Sequence, residues 1–211
     1  MSGVTFSGVI ASYLRPFLAC FFTGLAIKIM DDYLDTAFES TLGVTWAIQL
    51  KEAALPYALL FFSLGCLAEQ QWSITLFWAS YAVGMRGDLR RPLALGLTGW
   101  QETFALGVIL SLVWDCQNVF TSWAAIFSLQ GIDDLVDRKI DKLVGSDNWA
   151  LRWGVVETSM MVIIVLTLLA YLDIAKLILV FLSSFLVIAT QDWGTAKGGN
   201  SLDTDCHIGP S

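Results

Sequence analysis

Charge is what this sequence has least of. Only 15% of its 211 residues are Asp, Glu, Lys or Arg, against about a quarter in an average soluble domain. The basic residues number 12 and the net charge is −7, which argues against nucleic acid as a partner. There is one histidine, His207, and the four cysteines, Cys20, Cys66, Cys116 and Cys206, are scattered without metal-site spacing. The first three cysteines read as small apolar helix residues. The last lies with Asp205 and His207 in a polar end, which is either a small metal site or an unpacked terminus. Period-two alternation is missing as well. Long apolar stretches such as 160–170 do not alternate with polar residues, which argues against a transmembrane barrel. The N-terminus has no basic region ahead of its apolar stretch and no clear small-residue cleavage site. The first apolar run is therefore expected to be a retained span and not a signal peptide.

What the chain has instead is apolar surface. Hydrophobic residues make up 56% and the mean hydropathy is +0.66. Lipid leaves backbone N–H and C=O groups no partners outside the segment, so such a chain is expected to be all-α, a polytopic transmembrane helical bundle. Seven apolar runs stand out, at 7–30, 53–68, 72–85, 99–114, 118–132, 154–172 and 174–190. Several fall short of the ~20 residues that an upright span needs, which leaves room for a re-entrant pair. The runs predict one membrane domain over 1–190, followed by a polar, disordered tail over 191–211. Short connectors fall at Glu69-Gln70-Gln71, Asp115–Asn118 and Leu172-Asp173, and Thr98-x-x-Gln101 resembles a capping box.

The scarce charge is concentrated. Asp133-Asp134-Leu135-Val136-Asp137-Arg138-Lys139-Ile140-Asp141 carries four carboxylates in nine residues, directly after an apolar run. Asp133, Asp137 and Asp141 are spaced i, i+4, i+8, and on a helix they project from about one face. The pattern D-D-x-x-D-x-x-x-acid occurs once more, as Asp31, Asp32, Asp35 and Glu39, and the two copies start 102 residues apart. Gathering like charge is unfavourable unless cations neutralise it.

Topology ties the copies together. Each follows the C-terminal end of a span, and four spans lie between them, so both face the same side. Ten of the twelve basic residues fall on that side, among them Arg86, Arg90, Arg91, Arg138, Lys139 and Lys142, and only Arg15 and Lys176 fall opposite. That bias makes the motif side cytoplasmic, with the C-terminus there too.

Paired acidic motifs at a membrane surface suit one kind of ligand. A diphosphate is too negative to approach carboxylates alone. Mg²⁺ ions, hard and octahedral, can bridge carboxylate oxygens to phosphate oxygens and stabilise charge developing on a diphosphate leaving group. Candidate metal ligands are Asp31, Asp32, Asp35, Glu39, Asp133, Asp134, Asp137 and Asp141, with Asp31, Asp35, Asp133 and Asp137 as the candidate catalytic set. Arg86, Arg91, Arg138, Lys139 and Lys142 are candidates for the diphosphate itself. Topology-setting charge alone is the alternative account of Arg86–Arg91. The apolar bundle would hold a hydrophobic tail, and aromatic rings such as Tyr33 could stabilise an allylic cation. For a single motif, a solvated helix end would serve equally well; two matching copies on one side favour a site.

These residues resemble the UbiA superfamily of intramembrane prenyltransferases. Asp31, Asp32, Asp35 and Glu39 are similar to the family's N-D-x-x-D-x-x-x-D motif, with Asp for Asn and Glu for the last Asp. Asp133, Asp137 and Asp141 match the spacing of its second motif, to which Asp134 is an added acid. The run Asp141-x-x-x-Gly145 through Ala150-Leu151-Arg152-Trp153-Gly154 is similar to the family's D-x-x-x-G and A-x-R-x-G entering the next span. Arg91-Pro92-Leu93 with Gly96 and Glu102 resembles another family segment, some fifty residues later than usual. The resemblance covers about 30–190, and the chain is short for the family, with one span ahead of the first motif instead of two. It implies a ring of helices around a central cavity capped by two acidic loops. It also implies Mg²⁺-assisted ionisation of an isoprenyl diphosphate, with attack on the cation by an aromatic or lipid acceptor.

Other readings stay open at the level of sequence. A related terpene cyclase would need no acceptor. A divalent-cation transporter would need carboxylates along a path within the spans. A soluble isoprenyl diphosphate synthase also carries two D-D-x-x-D motifs, but the apolar composition counts against it. A non-catalytic membrane scaffold completes the set.

Overall fold

Nine helices and one short 3₁₀ turn, with no strand, make up the described residues of the computed structural model, which are 6–36, 50–84, 96–145 and 148–202. In chain order the helices are α1 (Phe6–Thr36), α2 (Ala54–Ala68), α3 (Gln70–Gly84), α4 (Gly99–Val113), α5 (Cys116–Val136), α6 (Arg138–Val144), α7 (Trp149–Arg152), α8 (Val155–Leu172) and α9 (Ile174–Leu202). The 3₁₀ turn, Lys51–Ala53, leads into α2.

Each of the seven apolar runs is a helix, so the all-α expectation holds. Two of these helices are long and apolar enough to cross a bilayer, over Ser12–Tyr33 and Val155–Leu172. Helices α2, α3 and α4 have 15 residues each. At 1.5 Å per residue they rise about 22 Å, short of the ~30 Å hydrocarbon core.

The helices end where local chemistry stops them. Glu69 (ψ 100°) and Asp173 (ψ 83°) turn extended and separate α2 from α3 and α8 from α9. The N–H of Thr98 donates to Oε1 of Gln101 at 3.0 Å, which is the reciprocal half of the expected capping box at the start of α4. α9 continues to Leu202, twelve residues into the stretch expected to be disordered. No proline interrupts 191–202, and each added residue gains a backbone hydrogen bond once a helix is running. Asp205, Cys206 and His207 lie outside the described residues.

Small residues let the helices approach. Ala19, Ala26, Ala54, Ala58, Ala79, Ala124 and Ala125 are all buried, the composition that close membrane-helix packing favours. At Gly131 a Cβ would stand 2.5 Å from Cγ2 of Val162, so α5 and α8 cross there only because the side chain is absent. Helix α5 sits at the centre, packed against α3, α4, α8 and α9, while α1 packs on α2, α3 and α9. Buried hydroxyls of Thr75 and Ser122, 2.8 Å apart, join α3 to α5. The outer faces are apolar: Leu112, Val156 and Phe185 are 80%, 67% and 68% exposed. That is the reverse of a soluble bundle and suits a lipid solvent.

One end of the bundle is locked by Lys176, which is fully buried. Its Nζ donates to the backbone carbonyl of Asn118 at 2.9 Å, to Oγ1 of Thr121 at 3.1 Å and to Oδ1 of Asn118, and it stands over the Trp72 ring. These contacts tie the N-terminal parts of α3, α5 and α9 together. At the opposite end the C-terminal parts of α1, α3 and α5 meet the middle of α9, and Asp31 and Asp133 lie there.

Candidate functional site

The first motif rides on the last turns of α1. Asp31 is exposed and Asp32 is buried, because successive side chains on a helix diverge by about 100°. Asp32 turns back along its own helix, with Oδ1 3.0 Å from Nζ of Lys28, one turn earlier. Asp35 follows in the final turn of α1, and Glu39 lies outside the described residues.

The second motif does not sit on one straight helix. α5 ends at Val136, and Asp137 (φ −88°, ψ 3°) marks the break before α6. Asp137 serves both sides of the break: its N–H donates to the Asp133 carbonyl at 2.9 Å, and its carbonyl accepts from the N–H groups of Ile140 at 2.9 Å and Asp141 at 3.0 Å. α6 closes at Gly145, whose φ of 81° is a left-handed cap that suits glycine. The chain then returns to Asn148, which is buried and caps α7 by accepting the N–H of Leu151. The Nδ2 of Asn148 donates to the Asp134 carbonyl at 2.7 Å and to Oδ2 of Asp141 at 2.6 Å.

Asp134, one of the expected metal ligands, is bonded to protein groups through both carboxylate oxygens. It is buried, and its Oδ2 accepts the backbone N–H of Trp149 at 2.7 Å while Oδ1 accepts from Nε2 of Gln130 at 3.0 Å. Its phase on α5 turns it inward, where Oδ2 holds α7 and Oδ1 is held by its own helix.

The two motifs meet in one cavity of about 230 Å³. Asp31 of the first copy and Asp133 of the second line it, together with Lys28. Below them the walls are apolar, with Ile27 from α1, Val83 from α3, Ile126 and Leu129 from α5 and Val187 from α9. The pocket thus has a charged rim and an oily floor. Among the described residues lining it there is no aromatic ring, so the expected cation–π contact is not found there. Tyr33 is exposed on α1 and is not among the lining residues.

Electrostatics mark Asp133. Desolvation comes first, and the Asp137 carboxylate next, in pushing its carboxyl above the ordinary carboxylate range; Asp134 and Asp141 add to this, and Lys28 opposes it. Asp137 and Asp141 are half-buried beside it. Among the described residues no three His, Cys, Asp or Glu side chains are gathered to hold one metal ion. Of the expected diphosphate ligands, Arg138 is half-buried and Lys139 and Lys142 are exposed. Arg86 and Arg91 lie outside the described residues.

Sequence patterning does not single out Lys28, Gln130 or Asn148. A signal existed for two of them. Lys28 precedes Asp32 by four residues, and Asn148 stands where an N-cap is needed before Trp149.

A larger aromatic groove, about 700 Å³, lies elsewhere. Trp78, Trp100, Phe104, Phe120 and Trp123 line it between α3, α4 and α5. The acidic cavity takes Ser80, Val83 and Gly84 from α3, whereas the groove takes Trp78 and Ala82. The two therefore lie on different sides of the α3–α5 wall.

Comparison with protein-family models, curated proteins and solved structures returned no match.

Proposed function

We propose that this chain is a Mg²⁺-dependent membrane prenyltransferase of the UbiA type, acting on an isoprenyl diphosphate at the cytoplasmic surface of a seven-span bundle. The observation that carries the proposal is the shared cavity. Asp31 and Asp133, far apart in sequence, line it with Lys28 above an apolar floor. A charged rim over an oily pocket suits a molecule with a polar head and a hydrocarbon tail.

The donor set fits a diphosphate-bridged cation better than a preformed metal cage. Mg²⁺ usually takes one or two carboxylates and completes its shell with water and substrate phosphate. Asp31 and Asp133, with Asp35 and Asp137 beside them on the same elements, would supply those carboxylates. Bound there, Mg²⁺ would neutralise the diphosphate and stabilise its charge as a leaving group. Lys28 contributes a fixed cation at the rim, and Arg86, Arg91 and Arg138 are further candidates for phosphate contact. Ile27, Ile126 and Leu129 keep water from the allylic carbon, so that the acceptor and not water captures it.

Two alternatives are weakened by particular observations. A cyclase stabilises migrating cations with aromatic rings, and the described lining of the acidic cavity has none. A cation transporter needs a path through the bundle, and the buried Lys176 side chain occupies the opposite end.

Incubation of purified protein with geranylgeranyl diphosphate and Mg²⁺ tests the proposal, with and without a membrane extract as the source of acceptor. Release of diphosphate that depends on Mg²⁺ and on acceptor is the expected result. A cyclic hydrocarbon or alcohol formed without acceptor would replace transfer by cyclisation. No release under any condition would remove the proposal.

A further inference from the structure

The second acidic segment carries three kinds of side chain on three sides. Within α6, at about 100° per residue, Ile140 and Leu143 lie within about 60° of each other, with Asp141 roughly 130° to one side and Lys139 and Lys142 roughly 100° to the other. Val136 is the last residue of α5, across the break at Asp137. Val136, Ile140 and Leu143 are 73%, 59% and 88% exposed. Lys139 and Lys142 are exposed, Asp137 and Asp141 are half-buried, and Asp133 is exposed at the rim of the cavity it lines.

The position of this apolar stripe is set by its neighbours. It joins the end of α5 to the start of α8, which is long and apolar enough to span a bilayer. Trp153, stacked on Trp149 and 44% exposed, stands two residues before α8 begins. Tryptophan favours the headgroup level. A stripe of exposed Val, Ile and Leu beside two lysines is the pattern of an element lying in an interface with anionic lipid.

We propose that Val136, Ile140 and Leu143 insert into the headgroup boundary of an anionic leaflet, with Lys139 and Lys142 on acidic lipid headgroups. The membrane surface is thereby the partner that fixes the orientation of the second acidic motif. This assigns Lys139 and Lys142 to lipid and not to the diphosphate. It rests on the membrane placement of α8 but not on the prenyl-transfer chemistry.

Leu143→Cys, in a background with the native cysteines changed to Ala, carries an environment-sensitive fluorophore in bilayers of phosphatidylcholine alone or with one third phosphatidylserine. Ile163→Cys on α8 is the control. Quenching of the position 143 label by headgroup-depth nitroxide lipid is expected to exceed quenching by aqueous iodide, and to grow with phosphatidylserine. Lys139→Gln/Lys142→Gln should lower the docked fraction on the order of tenfold. An aqueous label at 143 with a lipid-embedded label at 163 overturns this proposal alone. An aqueous label at 163 overturns the membrane placement itself. An apolar signal at 143 that ignores lipid charge and vanishes on dilution assigns the face to a second copy of the chain and overturns the proposal. Hydrogen exchange of the unaltered chain in the same two bilayers gives an independent readout. Residues 138–145 are expected to exchange several-fold more slowly in the acidic bilayer, and equal rates count against lipid docking.

Discussion

Oδ2 of Asp134 accepts the backbone N–H of Trp149 at 2.7 Å, across a return loop that brings α7 onto the end of α5. The bond explains why one of two adjacent aspartates leaves the site. Asp133 and Asp134 differ by one residue and therefore by about 100° around the helix. One reaches the cavity and the other reaches the chain behind it. Asp134→Ala leaves the Trp149 N–H and the Gln130 amide without their acceptor. Such a loss of a charged hydrogen-bond partner costs about 2–3 kcal/mol, measurable by unfolding in detergent. The folded fraction should still bind divalent cation.

Asp133 carries the opposite cost. Its carboxyl is raised above the usual range by burial and by Asp137, so in that window the native state holds a proton more tightly than the unfolded chain does. Stability contributed by this group is therefore lost as pH rises through the raised value and regained as pH falls through it. Asp133→Asn removes the penalty. The variant is expected to melt higher than the parent at neutral pH and to show a flatter stability profile from neutral pH down to the ordinary carboxylate range. It should lose at least about a hundredfold in turnover, as expected when a group stabilising leaving-group charge is removed.

Lys28 is predicted to act on binding. It stands between the motifs, paired with Asp32 on one side and lining the cavity with Asp31 and Asp133 on the other. Lys28→Met should weaken binding of an isoprenyl diphosphate analogue by about ten- to a hundredfold, the range for a lost charge-assisted hydrogen bond. Isothermal titration in detergent checks it, and unchanged affinity would remove Lys28 from the site.

Gly131 tests the bundle itself. A Cβ there would meet Val162 at 2.5 Å, and two packed helices must move apart to admit it. Gly131→Ala is expected to destabilise by about 1–3 kcal/mol. Gly84, where a Cβ would meet nothing within 4 Å, is the control, and Gly84→Ala should be neutral or slightly stabilising in helix α3.

The helices were legible because apolar runs and their polar breaks are strong local signals. Glu69, Asp173 and Thr98 each end or start a helix within the connectors expected. The meeting of Asp31 with Asp133 was legible too, through the parity of the helices between them. What the sequence hides is orientation within a motif. D-D-x-x-D does not say which Asp of the pair turns inward, because that depends on where Asn148 and Trp149 return. Nor does it show that Lys28, paired with Asp32 on its own helix, also faces Asp133 of α5. Helix length is also hidden, since the sequence after Thr190 carries no marker for the end of α9 at Leu202.

The shared cavity can be tested directly with Mn²⁺ in place of Mg²⁺ and an unreactive isoprenyl thiodiphosphate, read by electron paramagnetic resonance. The wild-type chain should show bound Mn²⁺ only when the analogue is present. Asp31→Asn and Asp133→Asn should each abolish that signal, since the ligand would draw on both motifs at once. Retention of the full signal in either single variant would contradict a common site and leave the two acidic segments as separate features of the bundle end.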